Sequence, residues 1–201
     1  SVSMNLDWRP TNDVNEISRR SIHKKPSEKK MGAEILVLRF LHVVSGIIWV
    51  GSGVFVAFFL IPAIAGKPQL MPGVMEGLQR RRVFIILPLA GLIAILSGIR
   101  LLWIDSAGFA DSYMQTGPGR TFSIGGAAAI IAFLLQVFVS RPAGVKLGAI
   151  AAQLAGSPPA NERERLTAEA DRLRRRNAMA TLGAVLFGLL AASAMAVARY
   201  V

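Results

Sequence analysis

The sequence predicts an all-α, polytopic membrane protein: a bundle of four transmembrane helices that carries an extended polar N-terminal tail. Its 201 residues are 53% hydrophobic and the mean hydropathy is +0.48, which is typical of a small membrane protein. Four apolar segments reach the roughly 20 residues that a helix needs to cross about 30 Å of hydrocarbon. These segments are residues 35–65, 83–104, 121–140 and 178–198. The sequence lacks the alternating ten-residue segments of a membrane β-barrel.

Residues 1–34 form the polar tail, and residues 35–201 form the transmembrane domain. The tail is basic and lacks the apolar core of a secretory signal peptide. A segment of this composition cannot bury enough apolar surface to fold alone. We therefore expect that a neighbouring protein is needed to order it.

The loops between the spans differ in charge. The first loop ends in three arginines, Arg80, Arg81 and Arg82, whereas the second, residues 105–120, is acidic and has no lysine. The third loop is basic and contains a polar helical segment at about 158–176. Short cytoplasmic loops are enriched in lysine and arginine, which predicts a cytoplasmic location for the first and third loops and puts both termini outside. The basic tail favours the opposite orientation.

The composition excludes several classes of site. There is no cysteine, and only two histidines, His23 and His42, are present. Thiolate metal sites, disulfides, cysteine nucleophiles and multi-histidine metal centres are therefore excluded. No catalytic group of nucleophile, base and acid is recognisable. The net charge is +11, but the basic residues flank apolar runs, and this pattern favours lipid headgroups over nucleic acid. Arg39 and the three arginines of the first loop are the candidates for lipid contact and topology.

Small residues predict how the helices pack. Every fourth residue of the last span is alanine or glycine, and such a face lets another helix approach closely in lipid. The members of this face are Ala180, Ala184, Gly188, Ala192 and Ala196. In the third span, Gln136 is the strongly polar side chain, and we expect it to bond another helix.

One stripe of the first span carries the candidate cofactor site. At 100° per residue, His42, Gly46, Trp49 and Gly53 share a narrow face. Glycine lets a flat macrocycle approach the backbone, and imidazole is a common axial ligand. Met179 or Met195 would be the second ligand of a six-coordinate haem, whereas a five-coordinate haem or a chlorophyll-type pigment needs His42 alone. The alternative is a structural imidazole that bonds a neighbouring helix.

The stretch "LHVVSGIIWVGSGVFVAFFLIPAI" resembles the opening helix of small four-helix bacterial membrane proteins of the copper-resistance D-like type. The residues that carry the resemblance are His42, Gly46, Trp49, Gly51 and Pro62. It covers roughly residues 35–200 and implies the bacterial inner membrane. A distant relative of this architecture, the bacterial four-helix protoporphyrinogen oxidase, is associated with haem b. That likeness implies a histidine in the first helix, matched by His42, and a lysine in the third, where this chain has none.

These observations predict a non-enzymatic accessory subunit of a larger membrane assembly, of the energy-transducing kind, photosynthetic or respiratory. Its expected partners are other membrane subunits and lipids, including anionic headgroups, and no cofactor of its own is expected. The alternative is a haem b-binding redox protein or oxidase-like enzyme that uses His42, with haem b or a chlorophyll-type pigment bound there. The absence of paired charges within the spans disfavours a transporter.

Overall fold

The computed structural model describes residues 26–65, 67 and 70–201, and these residues are almost entirely helical. The chain divides into two compact units, residues 1–37 and 38–201, and the bundle belongs to the second. Most of the predicted tail, residues 1–25, lies outside the described residues, so its ordering by a neighbour stays a prediction. The first helix begins at Pro26, well before the start of the predicted span at residue 35.

The helices follow one another through short connections. In chain order they are α1 (Pro26–Phe55), a π-helical segment π1 (Val56–Leu60), α2 (Ile61–Ala65), α3 (Met71–Arg80), α4 (Val83–Asp105), α5 (Asp111–Met114), α6 (Gly117–Leu134), a second π-helical segment π2 (Leu135–Ser140), α7 (Arg141–Ala155), α8 (Ala160–Val197) and a final 3₁₀ turn (Ala198–Tyr200). Four helical stretches are long and apolar enough to cross a membrane: Met31–Ile64, Val83–Asp105, Gly117–Ala155 and Ala160–Tyr200. The predicted all-α four-helix architecture is confirmed, and the protein is a multi-pass membrane protein.

Glycines set the closest approaches between the helices. A Cβ added to Gly125 of α6 would lie 3.1 Å from the Ala194 Cβ of α8, and one added to Gly91 of α4 would lie 3.1 Å from the Phe133 ring of α6. One added to Gly188 of α8 would lie 3.6 Å from Val50 of α1. Lipid gives no hydrophobic drive for helices to associate, so such close packing holds the bundle together.

The small-residue face of the last span is only partly an internal packing face. Ala180 and Gly188 are buried and Ala184 is half-buried, whereas Ala192 and Ala196 are exposed. A step of four residues advances 400° on a helix of 3.6 residues per turn, so a strict four-residue row drifts by about 40° at each step. Farther along the chain from α8 into the final 3₁₀ turn, other small residues are therefore the buried ones: Ala191, Ala194 and Ala198.

The predicted third loop is a helical hairpin, so the helices of the third and fourth spans extend past the predicted spans into the loop. Helix α6 continues through π2 into α7 without a break, and the polar helix predicted at 158–176 is continuous with the fourth span as α8. The 39 residues from Gly117 to Ala155 extend over about 58 Å, roughly twice the hydrocarbon thickness.

An apolar seam stabilises this hairpin, residues 141–177. Ile150 of α7 packs with Leu166 and Ala170 of α8, and all three are buried. Partly buried leucines extend the seam on both sides: Leu147, Leu154 and Leu173. The turn between the helices includes Ser157 in the left-handed conformation, with φ of 54°.

Candidate functional site

His42 lies on the inward side of α1, half-buried, and bonds the backbone of α4. Its Nδ1 is 2.7 Å from the carbonyl oxygen of Ala94. A carbonyl can only accept, so Nδ1 carries a proton and donates it. In the neutral imidazole the lone pair is then at Nε2. The prediction that His42 bonds a neighbouring helix is confirmed.

Gly98 makes room for the imidazole. A Cβ at this position would lie 2.7 Å from Cε1 and 3.0 Å from Nδ1 of His42, so the ring rests against the bare backbone of α4. Ser97 lies beside it, with Oγ 3.5 Å from Nδ1, and donates to the carbonyl of Ile93 at 2.6 Å. The ring is therefore held in place by the bond at Nδ1 and by the contact with the backbone at Gly98.

Nε2 is the chemically open atom of this site. Among the residues that the structure describes, no hydrogen bond reaches it. A histidine whose Nδ1–H is fixed by a carbonyl has the orientation that metal-binding imidazoles have. Such an atom can bind a metal, accept a hydrogen bond or take a proton.

Trp49 fills the interior two turns farther along α1. Its Nε1 donates to Oε1 of Gln136 at 2.6 Å, which confirms the expected interhelical bond of that glutamine. A Cβ on Gly91 would lie 2.9 Å from the indole, and the Phe133 ring meets the indole edge-on at a centroid distance of 6.0 Å. Trp49 is buried together with Ala90 and Ala132. The indole is thus a packing element that joins three helices.

The other two residues of the predicted cofactor stripe, Gly53 and Gly46, differ in their surroundings. A Cβ on Gly53 would lie 3.6 Å from Val185, so this position packs against α8. A Cβ on Gly46 would meet nothing within 4 Å. Since Trp49 and Gly53 are occupied by contacts within the chain, the prediction of a flat ligand rests on His42 and Gly46.

The two candidate second ligands lie at different depths. The contact of Val50 with Gly188 sets an antiparallel register of α1 and α8, which puts Met195 near the level of His42 and Met179 near the opposite end. Met179 is 77% exposed, and the Cε of Met195 lies 3.4 Å from the Cβ position of Gly125. The residues present therefore offer His42 as an axial ligand, with Met195 the methionine at its depth, packed against Gly125 of α6. In the described part of the chain, no group of three or more histidine, aspartate or glutamate side chains is placed to hold a metal ion.

The predicted lipid-contact arginines lie at opposite ends of the bundle. Arg39 is exposed one turn before His42, whereas Arg80, Arg81 and Arg82 are exposed at the start of α4. Sequence reasoning described the third loop as basic but did not name as lipid contacts the further cations near that second end. They are Arg141, Lys146, Arg172, Arg174, Arg175 and Arg176. The arginine run immediately before the last apolar segment is the signal that could have identified most of them.

Comparisons of the chain with protein-family models, with curated proteins and with solved structures find no match. The resemblance to copper-resistance D-like proteins stays a prediction.

Proposed function

We propose that the protein is a non-enzymatic accessory subunit of a larger integral membrane assembly of the bacterial inner membrane. The assembly is of the energy-transducing kind, photosynthetic or respiratory, and the hairpin faces the cytoplasm while both termini are outside. The outward face of α7 is the observation that carries this proposal.

That face carries exposed apolar residues past residue 140, the predicted end of the third span. About 20 residues from Gly117 suffice to cross the bilayer, so α7 begins close to the boundary and extends away from it. Its inward face packs in the seam, and Val145, Gly148 and Ala152 are exposed on the opposite side, where Arg141 and Lys146 border them. Val145 is 70% exposed, and a Cβ on Gly148 would meet nothing within 4 Å. An exposed apolar surface that charged residues border supports a contact with a neighbouring membrane protein.

The interior of the bundle supports a non-catalytic role. Trp49 occupies the centre against Gly91, with its N–H bonded to Gln136. A solute path or a substrate pocket at this depth would need that space. The energy-transducing part of the proposal rests on His42, whose Nε2 suits contact with a tetrapyrrole held by a neighbouring subunit.

The test is site-specific photocrosslinking in native membranes. A photoreactive amino acid at Val145 is expected to give one dominant adduct with another membrane protein, identified by mass spectrometry. The matched control is Ala168, exposed on α8 of the same hairpin among charged residues, and it is expected to give little adduct. Equal weak labelling from both positions would contradict the subunit proposal.

A haem b-binding redox protein, or an oxidase-like enzyme that uses His42, is the second candidate. The fixed Nδ1–H of His42 favours it, because the lone pair at Nε2 then suits an axial bond. Haem bound there would supply one-electron chemistry; the chain itself holds the imidazole in position through Ala94 and Gly98. A stoichiometric Soret band in the purified protein that is lost in His42→Ala and kept in Ser97→Ala would favour this candidate. A colourless protein from native membranes would exclude it.

A further inference from the structure

Cations from three separate parts of the chain are brought to one end of the bundle. The contact between Gly91 and Phe133 sets the register of α4 against α6 and puts the start of α4 beside Arg141. The hydroxyls of Ser140 and Thr181, 3.4 Å apart, set the register at the base of the hairpin. The seam continues that register, so residues 145–149 lie beside residues 172–176.

Together these cations form a basic collar around the membrane boundary. Its members are Arg80, Arg81, Arg82, Arg141, Lys146, Arg172, Arg174, Arg175 and Arg176. Arg174, Arg175 and Arg176 are consecutive on α8, so their side chains point in directions about 100° apart. The collar therefore presents charge on several sides rather than along one groove.

Acidic side chains neutralise little of this charge. Arg174 pairs with Asp171 at 3.0 Å, and Arg80 lies 3.9 Å from Glu76, with both side chains more than 70% exposed. For Arg141, Arg172 and Arg175 the described residues provide no ion pair. The same holds for Lys146, Arg81, Arg82 and Arg176. Most of the collar is available to an external anion.

We propose that the basic collar is a binding surface for anionic phospholipid headgroups of the leaflet that it faces. The position of the collar selects this partner, because residues 178–198 of α8 turn apolar directly after Arg176. At that junction the long side chains reach the phosphate level while their stems stay on apolar surface. A guanidinium fork matches the geometry of a phosphate. The anionic headgroups would attach the base of the hairpin to the membrane surface, a role beyond the proposed subunit function.

The test measures lipid retention by the full-length protein. Purified protein is exchanged into mixed micelles of phosphatidylglycerol and phosphatidylcholine at about 0.15 M salt, and the bound lipid is quantified by native mass spectrometry. Wild type is expected to retain phosphatidylglycerol preferentially and to lose the preference at high salt. The triple variant R172Q/R175Q/R176Q is expected to lose at least about tenfold in that preference, since each basic residue at an anionic surface contributes about fivefold.

Further variants make the result decisive. The control R120Q/R199Q removes two exposed arginines nearer the opposite end of the bundle; compared with the collar variant R175Q/R176Q, which removes the same charge, it is expected to keep the preference. The conservative variant R172K/R175K/R176K is expected to restore most of it, which a folding defect would not predict. Equal loss in the collar and control variants, no preference in wild type, or displacement of the lipid by nucleic acid rather than by salt would each overturn the proposal.

Discussion

The Nδ1 of His42 donates to the carbonyl oxygen of Ala94 at 2.7 Å, so a side chain of the first span is bonded to the backbone of the second. This bond depends on Gly98, because the ring occupies the space that a side chain would take. The stability of the bundle and any chemistry at Nε2 therefore both depend on the position of this ring. A change that displaces the ring removes an interhelical bond and also alters where the open nitrogen points.

Gly98→Ala is expected to lower the stability of the bundle by about 1–3 kcal/mol, the usual cost of forcing extra atoms into a packed site. Its new Cβ would lie 2.7 Å from Cε1 of His42. The matched control is Gly46→Ala, where the new Cβ meets nothing and alanine favours the helix by up to about 1 kcal/mol. Thermal unfolding in detergent measures both variants, and an equal response to the two substitutions would contradict this account of the site.

Trp49→Phe is expected to destabilise the bundle by about 1–3 kcal/mol, because it leaves the Gln136 carbonyl oxygen without its donor in the interior. Adding Gln136→Leu removes the unpaired group and is expected to recover part of the loss. The coupling energy of this double-mutant cycle measures the bond directly. Additive effects of the two substitutions would show that the hydrogen bond carries no stability.

The sequence predicts the spans well because apolar length is a property of each segment alone. It also predicts that Gln136 bonds another helix and gives a bond to a neighbouring helix as one of the two alternatives for His42. The acceptor of His42 could not be predicted, since Ala94 acts through its backbone, which every residue possesses. The continuation of α6 into α7 was not predicted because Pro142 and two glycines suggest a loop; within a continuous membrane helix, a π-helical adjustment such as π2 can satisfy the backbone groups that a proline frees. The leucines and isoleucine of the seam, spaced three and four residues apart, were the available signal.

Leu166→Ala is expected to destabilise the helical hairpin by about 2–4 kcal/mol, because Leu166 is buried between the two helices and its removal leaves a cavity. Hydrogen exchange is expected to speed up across residues 141–177 and to stay unchanged around Trp49. Val145→Ala on the exposed face of α7 is the control, with an expected effect below about 0.5 kcal/mol in the isolated chain. Faster exchange throughout the bundle would show that the hairpin does not fold as a local unit.

Tyr113 is expected to make stability depend on alkaline pH. It lies in α5, in the connection between the second and third spans, where burial and then the negative charge of Asp105 raise the pKa of its hydroxyl. The folded state therefore holds this proton more tightly than the unfolded chain does. Its contribution is fully present below the unfolded pKa of about 10 and is lost as the pH rises through the higher folded value.

Unfolding midpoints measured between neutral pH and about pH 11 should consequently fall less steeply for Tyr113→Phe than for wild type. Tyr200, the other tyrosine, is 87% exposed, and Tyr200→Phe serves as the control that should keep the wild-type alkaline slope. Asp105→Asn removes one of the two causes, so it should lower the pH at which tyrosinate absorbance of Tyr113 appears. If Tyr113→Phe and Tyr200→Phe share the wild-type slope, the proton on Tyr113 is not linked to folding.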